Sequence, residues 1–148
     1  MATIQQFTNY HFAASIAIKG DKEAVWGLLT DVSKWSEWDT ELRDSRISGD
    51  FALNASGTLT PKTGPKLRFE IIELQVGSFY TFRTRMPVGY LVIRRALTIR
   101  EDDVIFTDDI RFTGFLKHLY GIILGRAFRK ALPDVMYNFK KLISENNG

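Results

Sequence analysis

Between His11 and Lys19 apolar and polar positions alternate, with Phe12, Ala14, Ile16 and Ile18 on one side, which predicts a half-buried strand closed by Gly20. The period then lengthens. Asp21 stands where an N-cap belongs, and Ala24, Val25, Leu28 and Leu29 form the apolar stripe of a helix of about nine residues. Asp31 caps a second short helix that carries Trp35 and Trp38. Residues three apart share a helix face, so both indoles point inward while Ser33, Lys34, Ser36 and Glu37 face water.

From Leu42 to Gly114 no helical period survives. Turn residues cut this stretch into six strands: Leu42–Ser48, Ala55–Thr60, Leu67–Leu74, Ser78–Met86, Tyr90–Arg100 and Val104–Thr113. Their short connections require antiparallel neighbours. A change of parity at Ile71-Ile72 predicts a bulge in the third of them. After Gly114, a stripe through Leu116, Tyr120, Ile123, Ala127, Ala131, Val135, Phe139 and Leu142 marks one long helix ending at Asn146-Asn147-Gly148. Thirty residues would reach ~45 Å. Pro133, which lacks the amide donor and crowds the preceding turn, is expected to kink it.

The last two strands carry the sharpest local signal. The inward set of Tyr90–Arg100 is Leu91, Ile93, Arg95, Leu97 and Ile99, and that of Val104–Phe112 is Val104, Phe106, Asp108, Ile110 and Phe112. Each apolar face is interrupted once, by opposite charges. A two-residue loop at Glu101-Asp102 sets Arg95 opposite Asp108, Leu91 opposite Phe112 and Ile93 opposite Ile110, whereas a four-residue loop makes the charges diagonal neighbours. The expectation is an ion pair on the inner face, since a buried charge is tolerable only when paired. Such a pair is either structural or in contact with a ligand, unless a bulge turns one member to solvent.

Composition narrows the choice of function. At 148 residues the chain fits a single domain over 1–148, long enough to bury about two-thirds of its unfolded surface. It contains no cysteine, which removes disulfides, thiolate chemistry and Cys-based zinc sites. Neither a basic leader nor an apolar run of spanning length is present, so the chain reads as cytoplasmic. His11 and His118 are the only histidines and lie far apart in sequence, so no metal site or His-dependent triad is expected. The net charge of +3 is uneven: Arg111–Gly148 holds seven Lys/Arg against Asp134 and Glu145. Those bases read as a solvated face, the alternative being transient attraction to an anionic membrane during ligand exchange. The patch lacks interleaved aromatics, so nucleic-acid binding is not expected.

The order of elements resembles the helix-grip fold of the START/Bet v 1-like (SRPBCC) superfamily, within it the polyketide cyclase/dehydrase and lipid-transport group. The likeness rests on Glu23-Ala24-Val25-Trp26, Leu29-Thr30-Asp31-Val32, Trp35-x-x-Trp38, Gly49-x-Phe51, Gly57-x-Leu59-x-Pro61 and Phe112-x-Gly114. It implies an α+β fold in which a curved antiparallel seven-stranded sheet wraps the long C-terminal helix, with two short helices after the first strand. It also implies an apolar cavity between sheet and helix. Asn54 stands where many relatives have Gly, and Phe106-Thr107-Asp108-Asp109-Ile110 replaces the His, Gln or Glu common before Phe-x-Gly.

The leading expectation is cofactor-free binding of a lipid, sterol or polyketide-like molecule, with Trp35, Trp38, Phe69, Tyr80, Phe82, Arg95, Asp108 and Phe112 as candidate ligand-binding residues. The resemblance also admits a cyclase or dehydratase, in which Arg95, Asp108 and Tyr80 or Tyr90 would do acid, base or oxyanion work. A third class is an interaction module resembling the Hsp90-activator homology domains. Gly121 and Gly125 permit close helix packing or a bend, or leave room for ligand.

Overall fold

The computed structural model describes residues 2–147. Its elements are β1 (Thr3–Thr8), β2 (His11–Lys19), α1 (Lys22–Thr30), a 3-10 turn (Val32–Lys34), α2 (Trp35–Trp38), β3 (Leu42–Ile47), β4 (Ser56–Pro61), β5 (Leu67–Gln75), β6 (Phe79–Met86), β7 (Gly89–Arg100), β8 (Asp103–Phe112) and α3 (Lys117–Asn147). The strands form one antiparallel sheet in the order β1-β2-β8-β7-β6-β5-β4-β3. The α+β architecture with a long C-terminal helix packed on the sheet is the expected one. The strand number is eight rather than seven.

The extra strand, β1, pairs with β2 through Thr3 opposite Ser15 to Thr8 opposite His11. Its residues are almost all exposed, so it has no buried face and hence no alternation to read. Backbone pairing alone holds it at the sheet edge. The second short helix is present in two pieces: a 3-10 turn runs into the single turn of α2, which carries Trp35 and Trp38. Asp21 caps α1 by accepting from the Glu23 amide at 3.3 Å, whereas the Asp31 carboxylate accepts the Ser33 hydroxyl at 2.6 Å and caps no amide.

The β7–β8 register is the one the two-residue loop demands: Arg100 pairs with Asp103, Ile99 with Val104, Leu97 with Phe106, Arg95 with Asp108 and Leu91 with Phe112. Glu101 takes a φ of 56°, the left-handed conformation the tight turn requires. Ile99, however, is exposed although its partner Val104 is buried, because the pairing of β7 with β6 stops at Ala96 and the end of β7 runs on without a neighbour on that side. The β5 bulge falls at Ile72, where the register against β6 shifts between Ile71 and Glu73. Asn54 adopts φ 69° in the turn before β4.

Pro133 does not interrupt α3, which is helical from Lys117 to Asn147; of the expected Asn146-Asn147-Gly148 terminus, Gly148 lies outside the described residues. The two halves of α3 are unequally covered. Leu132, Val135, Met136, Phe139 and Ile143 are buried, while Leu119, Ile122 and Ile123 are exposed. Gly121 packs on the β1–β2 turn, where an added Cβ would fall 2.6 Å from the Asn9 carbonyl oxygen, and Gly125 would meet the same oxygen at 3.0 Å. These glycines serve close packing.

Candidate functional site

A cavity of about 410 Å³ lies between the inner face of the sheet and the N-terminal half of α3. Phe82, Leu91 and Ile93 of β6 and β7 form one wall, Leu42, Leu59 and Leu67 another, and Leu124, Ala127 and Phe128 the helical side. Thr63, Gly64, Pro65, Arg85 and Pro87, which line it while exposed to solvent, mark its opening. Besides Thr63 and Arg85 at the opening, four polar side chains interrupt this lining: Asp39, Glu41, Thr84 and Arg95. A second depression, about 380 Å³, lies on the outer sheet face around Arg94 and Asp109, remote from these groups.

Arg95 organises the polar end. Its Nε donates to Asp108 Oδ1 at 3.4 Å, a long bond, and its Nη1 to the Tyr80 hydroxyl at 3.3 Å. Its Nη2 lies 3.7 Å from Asp39 Oδ2. The guanidinium carbon sits 4.8 Å from the Trp35 ring, 4.7 Å from Trp38 and 5.0 Å from Phe82. Flat cations are weakly hydrated and tolerate such a cage, which a lysine ammonium would not. The cage is anchored to the backbone by the last turn of α1, whose free Leu29 carbonyl accepts from Trp35 Nε1 at 2.9 Å and from the Tyr80 hydroxyl at 2.7 Å.

One guanidinium thus serves two acids. Burial works against the charge of Arg95, but Tyr80, Asp108 and Asp39 outweigh it and hold the group protonated more firmly than usual. Burial pushes the Asp108 carboxyl up to about 6, against the pull of Arg95 and with the help of the Asp39 charge. Asp39 is also raised by burial, opposed by Arg95 and by the Glu41 amide that donates to it at 3.0 Å. Its side chain keeps 16% exposure against 3% for Asp108, so Asp39 is the acid that remains reachable from the cavity. Burial likewise raises the Tyr80 phenol to about 12, which keeps it a neutral donor.

Among the eight residues singled out from sequence, Trp35, Phe82 and Arg95 line the cavity. Asp108 and Tyr80 stand behind Arg95 as its partners. Trp38 packs edge-on against Phe139 at 5.0 Å and Phe106 at 6.1 Å, Phe69 lies 5.4 Å from Trp35, and Phe112 lies 6.0 Å from Phe128; these three rings are buried core outside the lining. Tyr90 is on the outer face beneath the Arg83 guanidinium. Asp39 and Thr84 were not singled out. Thr84 had a readable signal, since it breaks the inward series Tyr80, Phe82, Thr84, Met86 just as Arg95 breaks its own. Its hydroxyl is buried without a hydrogen-bond partner among the described residues, as is Trp38 Nε1.

Residues 10–144 match a family model described as polyketide cyclase / dehydrase and lipid transport. The chain belongs to this family. No curated protein matches it by sequence. Solved structures match its fold at low identity. A protein from Arthrobacter aurescens is 13% identical with a TM-score of 0.72, over 97% of this chain and 91% of that one. A Thermus thermophilus protein is 10% identical with a TM-score of 0.73, over 93% and 99%. The di-domain ARO/CYC StfQ from the steffimycin biosynthetic pathway is 12% identical with a TM-score of 0.74; the match covers 95% of this chain and 53% of StfQ.

Proposed function

We propose that this family member binds an apolar small molecule, such as a lipid, sterol or polyketide-like compound, in the cavity under α3. The observation that carries the reading is a space of about 410 Å³ with mainly apolar walls and an unpartnered buried hydroxyl, Thr84, in its lining. Ligand sites of this size typically combine apolar walls with a few placed polar groups. A buried hydroxyl without a partner costs stability, and a ligand oxygen or N–H would satisfy it. Arg95 and Asp39 supply a second polar point. Thr84 is four residues from Tyr80, the cross-strand partner of Arg95, so the two points are separated by about 13 Å of strand. An elongated ligand with polar atoms at one end and near its middle fits this spacing.

Native mass spectrometry of the chain purified from its source organism tests the reading. A copurified apolar compound is expected, and it should be lost in Ala127→Trp, which adds an indole to the helical side of the cavity. Retention of the compound by that variant would count against the cavity. Thr84→Val, nearly isosteric, should raise the stability of the empty protein by about 1 kcal/mol in urea titrations while weakening retention of the compound.

A second reading, a cyclase or dehydratase, is favoured by Asp39: a carboxyl held above its usual range beside a guanidinium suits a general acid. Turnover that falls in Asp39→Asn while the compound is still bound would support it.

A further inference from the structure

The N-terminal half of α3 is apolar on two sides. Tyr120, Leu124 and Phe128 pack against the core, and on the other side Leu119, Ile122 and Ile123 are exposed, as is Phe115 in the turn just before the helix, Phe115 at 86% and Ile123 at 60%. The β6–β7 turn extends this patch. The Phe115 amide donates to the Val88 carbonyl at 3.2 Å and the Tyr120 hydroxyl to that of Pro87 at 2.9 Å, which fixes Val88, itself 62% exposed, beside the helix start. Further along the same stripe the side chains become Arg126 and Lys130, both exposed. Residues 113–133 contain no acid at all. Across the opening, the loop that contributes Thr63 to Pro65 carries Lys62 and Lys66, also exposed.

We propose that this face docks on the surface of an anionic lipid bilayer, with Phe115, Leu119, Ile122, Ile123 and Val88 entering the headgroup region and the flanking bases resting on lipid phosphates. Charge decides between occupants. A second copy seated on this patch by two-fold symmetry would oppose like charges with no acid to relieve them, whereas an anionic surface complements them. The geometry is that of a helix lying in the interface, and no helix among the described residues is long and apolar enough to cross a membrane. Pro87 and Leu124 line the cavity next to Val88 and Ile123, so docking would bring the opening against the lipid. The contact stands apart from the identity of any cavity ligand.

Co-sedimentation of the full chain with vesicles tests it, comparing phosphatidylcholine alone with equal parts of phosphatidylcholine and phosphatidylglycerol. Binding is expected to the anionic vesicles, to weaken with added salt, and to be slight with phosphatidylcholine alone. Arg126→Ala with Lys130→Ala should weaken partition about thirtyfold. Leu119→Ser with Ile123→Ser should abolish it while lowering the melting temperature by only a few degrees, because both side chains are already about half exposed. Absence of binding by the unaltered chain, or unchanged binding by both double variants, overturns the proposal. So does a dimer in sedimentation velocity that the serine variant dissolves while vesicles remain unbound.

Discussion

Arg95→Met is expected to destabilise the fold by about 3–5 kcal/mol at pH 8, because it strands Asp108 in the interior and leaves Asp39 without its counter-ion. The deficit should shrink toward pH 5. In the intact protein the folded Asp108 carboxyl sits at about 6 against 3.8 for the free side chain, so the folded chain holds that proton more tightly than the unfolded one. Its contribution to stability therefore rises as pH falls from above 6 toward 3.8 and is lost as pH climbs back. Removing Arg95 removes what pulls the carboxyl down, so the variant's folded state takes up the proton at still higher pH and its stability falls more steeply with rising pH. Urea titrations at pH 5 and pH 8 measure the difference, and a deficit independent of pH would contradict it. The double variant Arg95→Met with Asp108→Leu should recover part of the loss, since it removes the stranded Asp108 while Asp39, with a 16% exposed side chain, stays without its counter-ion. If a compound that copurifies with the unaltered chain is retained by the recovered variant, the pair is structural; if that compound is lost, Arg95 is its polar contact.

Trp35→Ala should cost a comparable amount, about 3–5 kcal/mol. Trp35 is wholly buried, stacks on Phe82 at 5.2 Å, packs against Phe69, covers one side of the Arg95 guanidinium and donates to Leu29. Truncation enlarges the existing cavity instead of opening a new one, so surrounding side chains have little to collapse onto. Trp35→Phe keeps a ring against Phe82 and loses the bond to the Leu29 carbonyl, for which about 1 kcal/mol is expected. Far-UV circular dichroism during urea unfolding separates the two. Equal losses for Ala and Phe would show that the hydrogen bond to α1, and not the packing, is what Trp35 supplies.

The tryptophan pair of the polar segment after α1 illustrates what a sequence can and cannot say. Helical spacing places Trp35 and Trp38 on one face, and both are buried. Their surroundings differ: Trp35 borders the cavity, while Trp38 meets Phe106 and Phe139. Which indole faces open space depends on α3, roughly ninety residues downstream. Arg95 and Asp108 were legible because each breaks a period of two, and the hairpin register brings the two breaks together. Asp39 was not, because it follows Trp38 in a segment already rich in acids, where one more carboxylate breaks no pattern. β1 was missed for a related reason, since an edge strand exposed on both faces needs no alternation.

Local periodicity determined which face of each central strand points inward and the bulge at Ile71-Ile72, the short connections determined the antiparallel order of neighbours, and of the two loop lengths left open the structure chose the one that sets Arg95 opposite Asp108. Backbone geometry sends successive strand side chains to opposite sides whatever lies beyond them. The tertiary structure decided that the enclosed space is partly empty, that Asp39 shares the guanidinium, and that one half of α3 presents a second apolar face to solvent. Those outcomes depend on how far side chains from distant segments reach toward one another across the gap between sheet and helix, a quantity no local period encodes.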